Sequence, residues 1–161
     1  MASSSSNLIS LKTSDGTVFK VERALAKTMK TVQAIIEEAD ANISMIPIHN
    51  VFSHHMDMII DYYKLSVAGK SKEFSVEKLD NDELKDFLLA VHYLNMEDLF
   101  EVLTQAVADR LEKKSVGYVR KYFGIENDFT PEEYAAIRKK NDWAFKGDDI
   151  EPEEDEEKQE E

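Results

Sequence analysis

His54, Asp57 and Asp61 are the side chains best spaced in this chain to do chemistry. Steps of three and four residues put them on one helix face, where an imidazole and two carboxylates can in principle hold a cation. No other group of ligands accompanies them, and a solvated helix surface carries the same residue types. Ser14 and Ser53 fall where a turn and a helix cap belong, and neither has the partners of a nucleophilic triad. No glycine-rich phosphate loop follows a strand. Cysteine is absent, which removes a disulfide framework and any thiolate zinc site and fits a reducing compartment. No metal, cofactor or catalytic set is expected, and the chain reads as a non-enzyme.

Recognition chemistry is better represented. Phe123–Phe145 contains a helix start written several times over. Thr130 is placed as N-cap, Pro131 at the first helical position, and Glu133 three residues after the cap. Glu132 and Glu133 in the first turn, and Arg138, Lys139 and Lys140 in the last, suit the helix dipole. Yet Tyr134 and Ile137 are its only large apolar residues, too few for a core-facing stripe. The bulky groups flank it: Phe123, Ile125 and Phe129 before, Trp143 and Phe145 after. Two readings stand on this pattern. The helix is clipped to a core by its ends, or it is a groove wall that a partner completes.

The string Phe-x-Ile-x-Asn-Asp-Phe-Thr-x-Glu-Glu from Phe123, followed by Ile-Arg-Lys-x-Asn-x-Trp from Ile137, resembles the C-terminal signature of the S-phase kinase-associated protein family. In that family the protein links cullins to F-box proteins in SCF ubiquitin ligases.

The elements that must position this stretch fit in 161 residues, one ordinary domain or two small units, with 42% hydrophobic residues for a core. No apolar run of about 18 residues is present, so no membrane span is expected. The net charge of −13 is uneven: 146–161 carries ten acids and two lysines, net −8, leaving −5 on the rest. An acidic disordered tail at 146–161 and a disordered leader at 1–7 are therefore expected. Nucleic acid is disfavoured as a partner, because no basic patch offsets the repulsion.

Leu8–Val21 alternates as a hairpin around Ser14-Asp15-Gly16. Helices are expected at Glu22–Lys30 and Thr31–Ala39, the second capped by Thr31, then a loop at Asp40–Ser44 and a strand at Met45–Ile48. Ser53 opens a helix carrying Met56, Ile59, Ile60 and Tyr63. Residues 8–65 thus form the first part of an α+β unit resembling the BTB/POZ fold, and 66–80 a flexible linker with Phe74 pinning one point. Residues 81–113 complete the unit. Asn81–Leu94 is apolar on two sides, with Leu84, Phe87, Leu88, Val91 and Leu94 on one and Leu89, Tyr93 and Met96 on the other, so burial between layers is expected. Asn95 is placed to cap the next helix, Glu97–Lys113. Residues 114–145 form a C-terminal helical extension.

Ile46-Pro-Ile-His-Asn-Val51 and Leu88-Leu-Ala-Val-His-Tyr-Leu-Asn95 extend the resemblance over Leu8–Phe145. It implies a cytoplasmic and nuclear adaptor in a heteromeric complex, with one face on a cullin and a C-terminal extension clasping an F-box protein. The implied F-box surface is Leu84, Leu88, Phe100, Val107, Leu111, Phe123, Ile125, Asn127, Asp128, Phe129 and Trp143. The implied cullin surface is Asn50, Val51, His92, Tyr93 and Met96. Periodicity alone favours ordinary core for each apolar member, and Asn127 and Asp128 read equally as a turn and helix entry. Without cysteine, no thioester relay or cysteine-based zinc ring is possible, so any ligase role is as adaptor.

Three departures from the family pattern mark the chain, as in a divergent paralogue. His92 stands in place of an asparagine, and an imidazole is larger and can charge near neutral pH. Lys85 replaces a phenylalanine; its stem can pack while its charge reaches water. Val116-Gly117 replaces Pro-Glu and weakens that helix start. The alternative function is an acidic BTB-like scaffold or chaperone that binds F-box proteins or other partners without cullin.

Overall fold

The computed structural model describes residues 7–39 and 43–150; residues 1–6 of the expected leader, 40–42 of the expected loop and the acidic run from 151 lie outside the described residues. The chain separates into two compact units, Met1–Ala106 and Val107–Glu161.

In the first unit, β1 (Leu8–Lys12) pairs antiparallel with β2 (Val18–Glu22) and parallel with β3 (Met45–Pro47), giving the order β2-β1-β3. Leu11 lies opposite Phe19 on one side and Ile46 on the other. Alternation then sends Ile9, Leu11, Val21 and Ile46 into the core and leaves Leu8, Val18 and Met45 exposed. Gly16, at φ +84°, makes the hairpin turn without a Cβ penalty. Two helices follow, α1 (Arg23–Thr28) and α2 (Lys30–Glu38), separated at the buried, extended Met29. Met29, not Thr31, is the residue before α2; the Thr31 hydroxyl donates to the Tyr93 carbonyl at 2.7 Å and ties α2 to the fourth helix.

The third helix, α3 (Ser53–Val67), starts under an unexpected clamp. The Asp15 carboxylate, at the hairpin tip, accepts the Ser53 N–H at 3.1 Å and the Ser53 O–H at 2.6 Å. Ser53 is thus a donor in the first helical turn, while an acid 38 residues away satisfies the helix start. The segment expected as a linker is partly built: α3 runs to Val67, a 3-10 turn spans Ser71–Glu73, Phe74 packs edge-on against Tyr62 at 5.3 Å, and Val76 is buried.

Helix α4 (Asn81–Leu94) is the centre of this unit. Asp80 accepts the N–H groups of Asp82 and Glu83, and Glu83 accepts the Asp80 N–H in return. Leu84, Phe87, Ala90, Val91 and Leu94 are buried. The second apolar side is only partly covered: Met96 is buried, Tyr93 half-buried, and Leu89 64% exposed. Asn95 does not cap the next helix; at φ +54° and ψ +54° it closes α4 in the left-handed region. Helix α5 (Glu97–Leu111) begins in this unit with Leu99 and Leu103 fully buried and ends in the second.

The second unit holds the end of α5, α6 (Val116–Phe123), α7 (Pro131–Lys140) and a 3-10 turn at Asp142–Phe145. Ser115 caps α6 by accepting the Tyr118 N–H at 3.2 Å, and Gly124, at φ +64°, ends it. The acid-rich segment, expected to be solvated from Lys146 on, is held as far as Ile150. The Asp148 N–H donates to the Lys113 carbonyl at 2.8 Å. The Asp149 carboxylate accepts the Ser115 N–H at 2.8 Å and its O–H at 2.6 Å. A Cβ on Gly147 would overlap Ser115 N and Lys114 C, so only glycine lets the strap lie this close. The helix start weakened by Val116-Gly117 is thereby braced from outside its own sequence.

Candidate protein-interaction surfaces

Among the described residues, no three His, Cys, Asp or Glu side chains come together as a metal would require, His54, Asp57 and Asp61 included. Nor is any helix among them long and apolar enough to cross a membrane. The features that stand out are surfaces.

On the first unit, a cleft of about 550 Å³ is bordered by Asn50, Phe52, His54, Asp86, Leu89 and Tyr93, with His55 behind it. The loop before α3 supplies one rim and α4 the other. Asn50 takes a left-handed conformation at φ +60°, which Asn tolerates better than most residues. Phe52 and Leu89 are exposed apolar groups at the rim. Of the positions implied to face a cullin, Asn50 and His92 are exposed and Tyr93 is half-buried. Val51 and Met96 are buried, so they support this surface from within. The His92 ring lies 5.3 Å from that of Phe100. Phe52 and Leu89 were missed as surface: the first precedes the helix, and the second belongs to an apolar stripe that sequence alone assigns to the interior.

Of the positions implied for the F-box side, the first unit holds Leu84, Leu88 and Phe100. Leu84 is wholly buried and belongs to the core, while Leu88 and Phe100 are half-buried. The departure at Lys85 is accommodated as its chemistry predicts: the stem is largely covered, and the ammonium pairs with Asp82 at 2.8 Å.

In the second unit Val107 is buried and Leu111 half-buried. The rest stand in solvent: Phe123 is 49% exposed, Ile125 56%, Phe129 45% and Trp143 77%. Asn127 and Asp128 are exposed too, and the Asn127 side chain accepts the Phe129 N–H at 3.3 Å, a turn-forming bond. Helix α7 between these groups has its full capping box, Thr130 accepting from the Glu133 N–H at 3.2 Å and Glu133 from the Thr130 N–H at 3.0 Å. It buries no residue. Aromatic clips hold it instead. Tyr134 meets Phe145 edge-on at 5.5 Å, and the Arg120 and Arg138 guanidinium groups lie 5.5 and 5.7 Å from the Tyr134 and Phe145 rings. Asp142 and Lys146 pair at 2.8 Å, which lowers the carboxyl pKa and raises that of the ammonium.

A small sheet covered by helices, followed by a helical extension that presents aromatic groups to solvent, defines an α+β protein of the POZ class. Residues 7–67 match the family model described as Skp1 family, tetramerisation domain, and residues 97–144 match Skp1 family, dimerisation domain. Among similar proteins of Arabidopsis thaliana, SKP1-like protein 14 is 41% identical over 148 residues, covering 88% of this chain and 99% of that protein. SKP1-like protein 11 is 38% identical over 151 residues, with the same coverage, and SKP1-like protein 4 is 37% identical over 158 residues, covering 86% and 96%. The chain belongs to the Skp1 family.

Proposed function

We propose that this chain is a non-catalytic adaptor of SCF-type ubiquitin ligases, bridging a cullin to F-box substrate receptors. The observation that carries this reading is the set of four large apolar side chains, Phe123, Ile125, Phe129 and Trp143, left between 45% and 77% exposed within 21 residues of a well-capped but uncovered helix. Single exposed apolar residues are ordinary, whereas such a concentration marks a surface that a partner covers. Membership of the Skp1 family supports an F-box protein as that partner. The exposed Asn50, His92 and half-buried Tyr93 on the first unit are the corresponding candidates for a cullin.

The test is a pull-down with purified F-box protein and cullin, using the wild type, Trp143→Ala and His92→Asn. The wild type should retain both, and Trp143→Ala should lose only the F-box protein, by roughly 2 kcal/mol or more if the indole is an anchor. Cullin binding that appears only with His92→Asn would mark an F-box partner working outside the ligase. Binding by none of the three would overturn the adaptor reading.

A further inference from the structure

His55 occupies an unusual place at the start of α3. It is 3% exposed, yet it is the residue whose Nδ1 accepts the Phe52 N–H, at 3.3 Å. A ring nitrogen that accepts from an N–H carries no proton, so the imidazole is neutral with its hydrogen on Nε2. That Nε2 is buried and meets no hydrogen-bonding group among the described residues. The ring lies parallel to Phe87 at 6.0 Å, edge-on to Phe52 at 5.9 Å and 4.0 Å from the His54 ring.

We propose that His55 is a proton-operated latch on the Asn50–Phe52 segment: the neutral ring holds Phe52 to the first turn of α3, and the protonated ring releases it. Protonation would convert Nδ1 from an acceptor into a donor facing the Phe52 N–H donor. It would also place a positive charge on a buried ring whose Nε2–H already has no acceptor among the described residues. The bond would be exchanged for a repulsion, and the segment would move to let water reach the ring.

The titratable groups around the ring decide how strongly it resists. His54 comes from its own helix, Asp86 from α4 and Asp15 from the hairpin turn. Burial, followed by the nearby His54, lowers the protonation point below the ordinary histidine value of 6.5, while Asp86 and Asp15 oppose this more weakly. The released chain therefore binds more protons than the latched one in the range just below 6.5. The latch is closed above that value and opens as pH falls through the lowered one. The released segment carries Asn50 and Phe52, one rim of the cleft against α4. A loss of cullin affinity on acidification would follow, a consequence that rests on the adaptor reading as the latch itself does not.

The test uses the free full-length chain and no cullin, so its failure is separate from a failure of the adaptor reading. Ring C–H resonances of His54 and His55 and the backbone amide of Phe52 are followed by NMR from pH 8 downward. The expected result is a His55 midpoint below the ordinary histidine value of 6.5, with the Phe52 amide moving at that midpoint. In His55→Leu the Phe52 amide should lose that response, and in His54→Gln it should keep it. A Phe52 amide that stays still through the His55 titration would overturn the latch, as would a response that survives in His55→Leu. Should His55→Leu fold poorly, the coincidence or separation of the wild-type His55 and Phe52 amide midpoints decides alone.

Discussion

Helices α4 and α7 begin alike and end in different physical situations. Both open with a reciprocal capping box, Asp80 with Glu83 and Thr130 with Glu133, and both place two acids in the first turn. Helix α4 buries five residues along 14, while α7 buries none along 10. Local signals of similar quality thus serve one helix that carries the core and another that leaves its neighbours in water. The difference teaches that capping decides where a helix starts, and burial decides whether it persists without help. In a protein proposed to hold two partners, the second kind of helix is where binding energy can be converted into order.

Amide hydrogen exchange sharpens this contrast most. Core amides of α4 should exchange only through opening near the global stability, on the order of 5–15 kcal/mol for a domain. Amides across Phe129–Phe145 should exchange with little protection in the free chain and gain protection when an F-box protein binds. Equal protection of the two helices in the free chain would break the comparison. Next in size is Phe87→Ala, which removes a fully buried ring and should cost about 3–5 kcal/mol in urea unfolding. Trp143→Ala should leave that transition where it is, since the indole is 77% exposed.

Cap removal is smaller and more pointed. Asp80→Ala and Thr130→Ala each delete one cap, worth about 1 kcal/mol of helix stability. In thermal unfolding the first should lower the midpoint, because α4 is part of the cooperative core. The second should raise exchange in α7 with little change in the midpoint. A matching midpoint shift would show α7 to be as integral as α4. The smallest effect belongs to the strap at Gly147–Asp149. The Ser115 O–H, then its N–H, hold the Asp149 carboxyl below its ordinary value of 3.8. The contribution is therefore complete above that value and lost as pH falls below it. Asp149→Ala should loosen the Ser115 and Tyr118 amides at neutral pH, read by exchange, and should abolish the acid-induced shift of the Ser115 amide expected in the wild type.

What could be read in the chain beforehand follows the range of each interaction. The hairpin, the bounds of α4 and the capped start of α7 depend on residues two to four apart, and they lie where residue types and spacing placed them. The concentration of five large apolar groups around α7 was legible for the same reason, but whether a core or a partner covers them was not, and the structure leaves four of the five exposed. By contrast, Leu88 and Leu89 are adjacent and chemically identical, yet one is half-buried and the other 64% exposed. Periodicity allowed both sides of α4 to be apolar, and only packing chose which side was covered. Asn95 suited the start of one helix and the end of another, and the left-handed backbone between α4 and α5 decided for the end.

By itself the amino-acid sequence determined the elements, their polarity and the family whose signature they carry, because these are written in short-range spacing and residue type. Tertiary structure alone decided which acid closes which loop. Asp15 reaches Ser53 across 38 residues, and Asp149 reaches Ser115 across 34. It also decided that His55, one of four histidines, is the buried one whose ring must stay neutral to accept a backbone N–H. The physical reason is the same in each case. A carboxylate or an imidazole has no preferred partner along the chain, and its protonation and bonds are set by whatever the fold brings within about 3 Å of it.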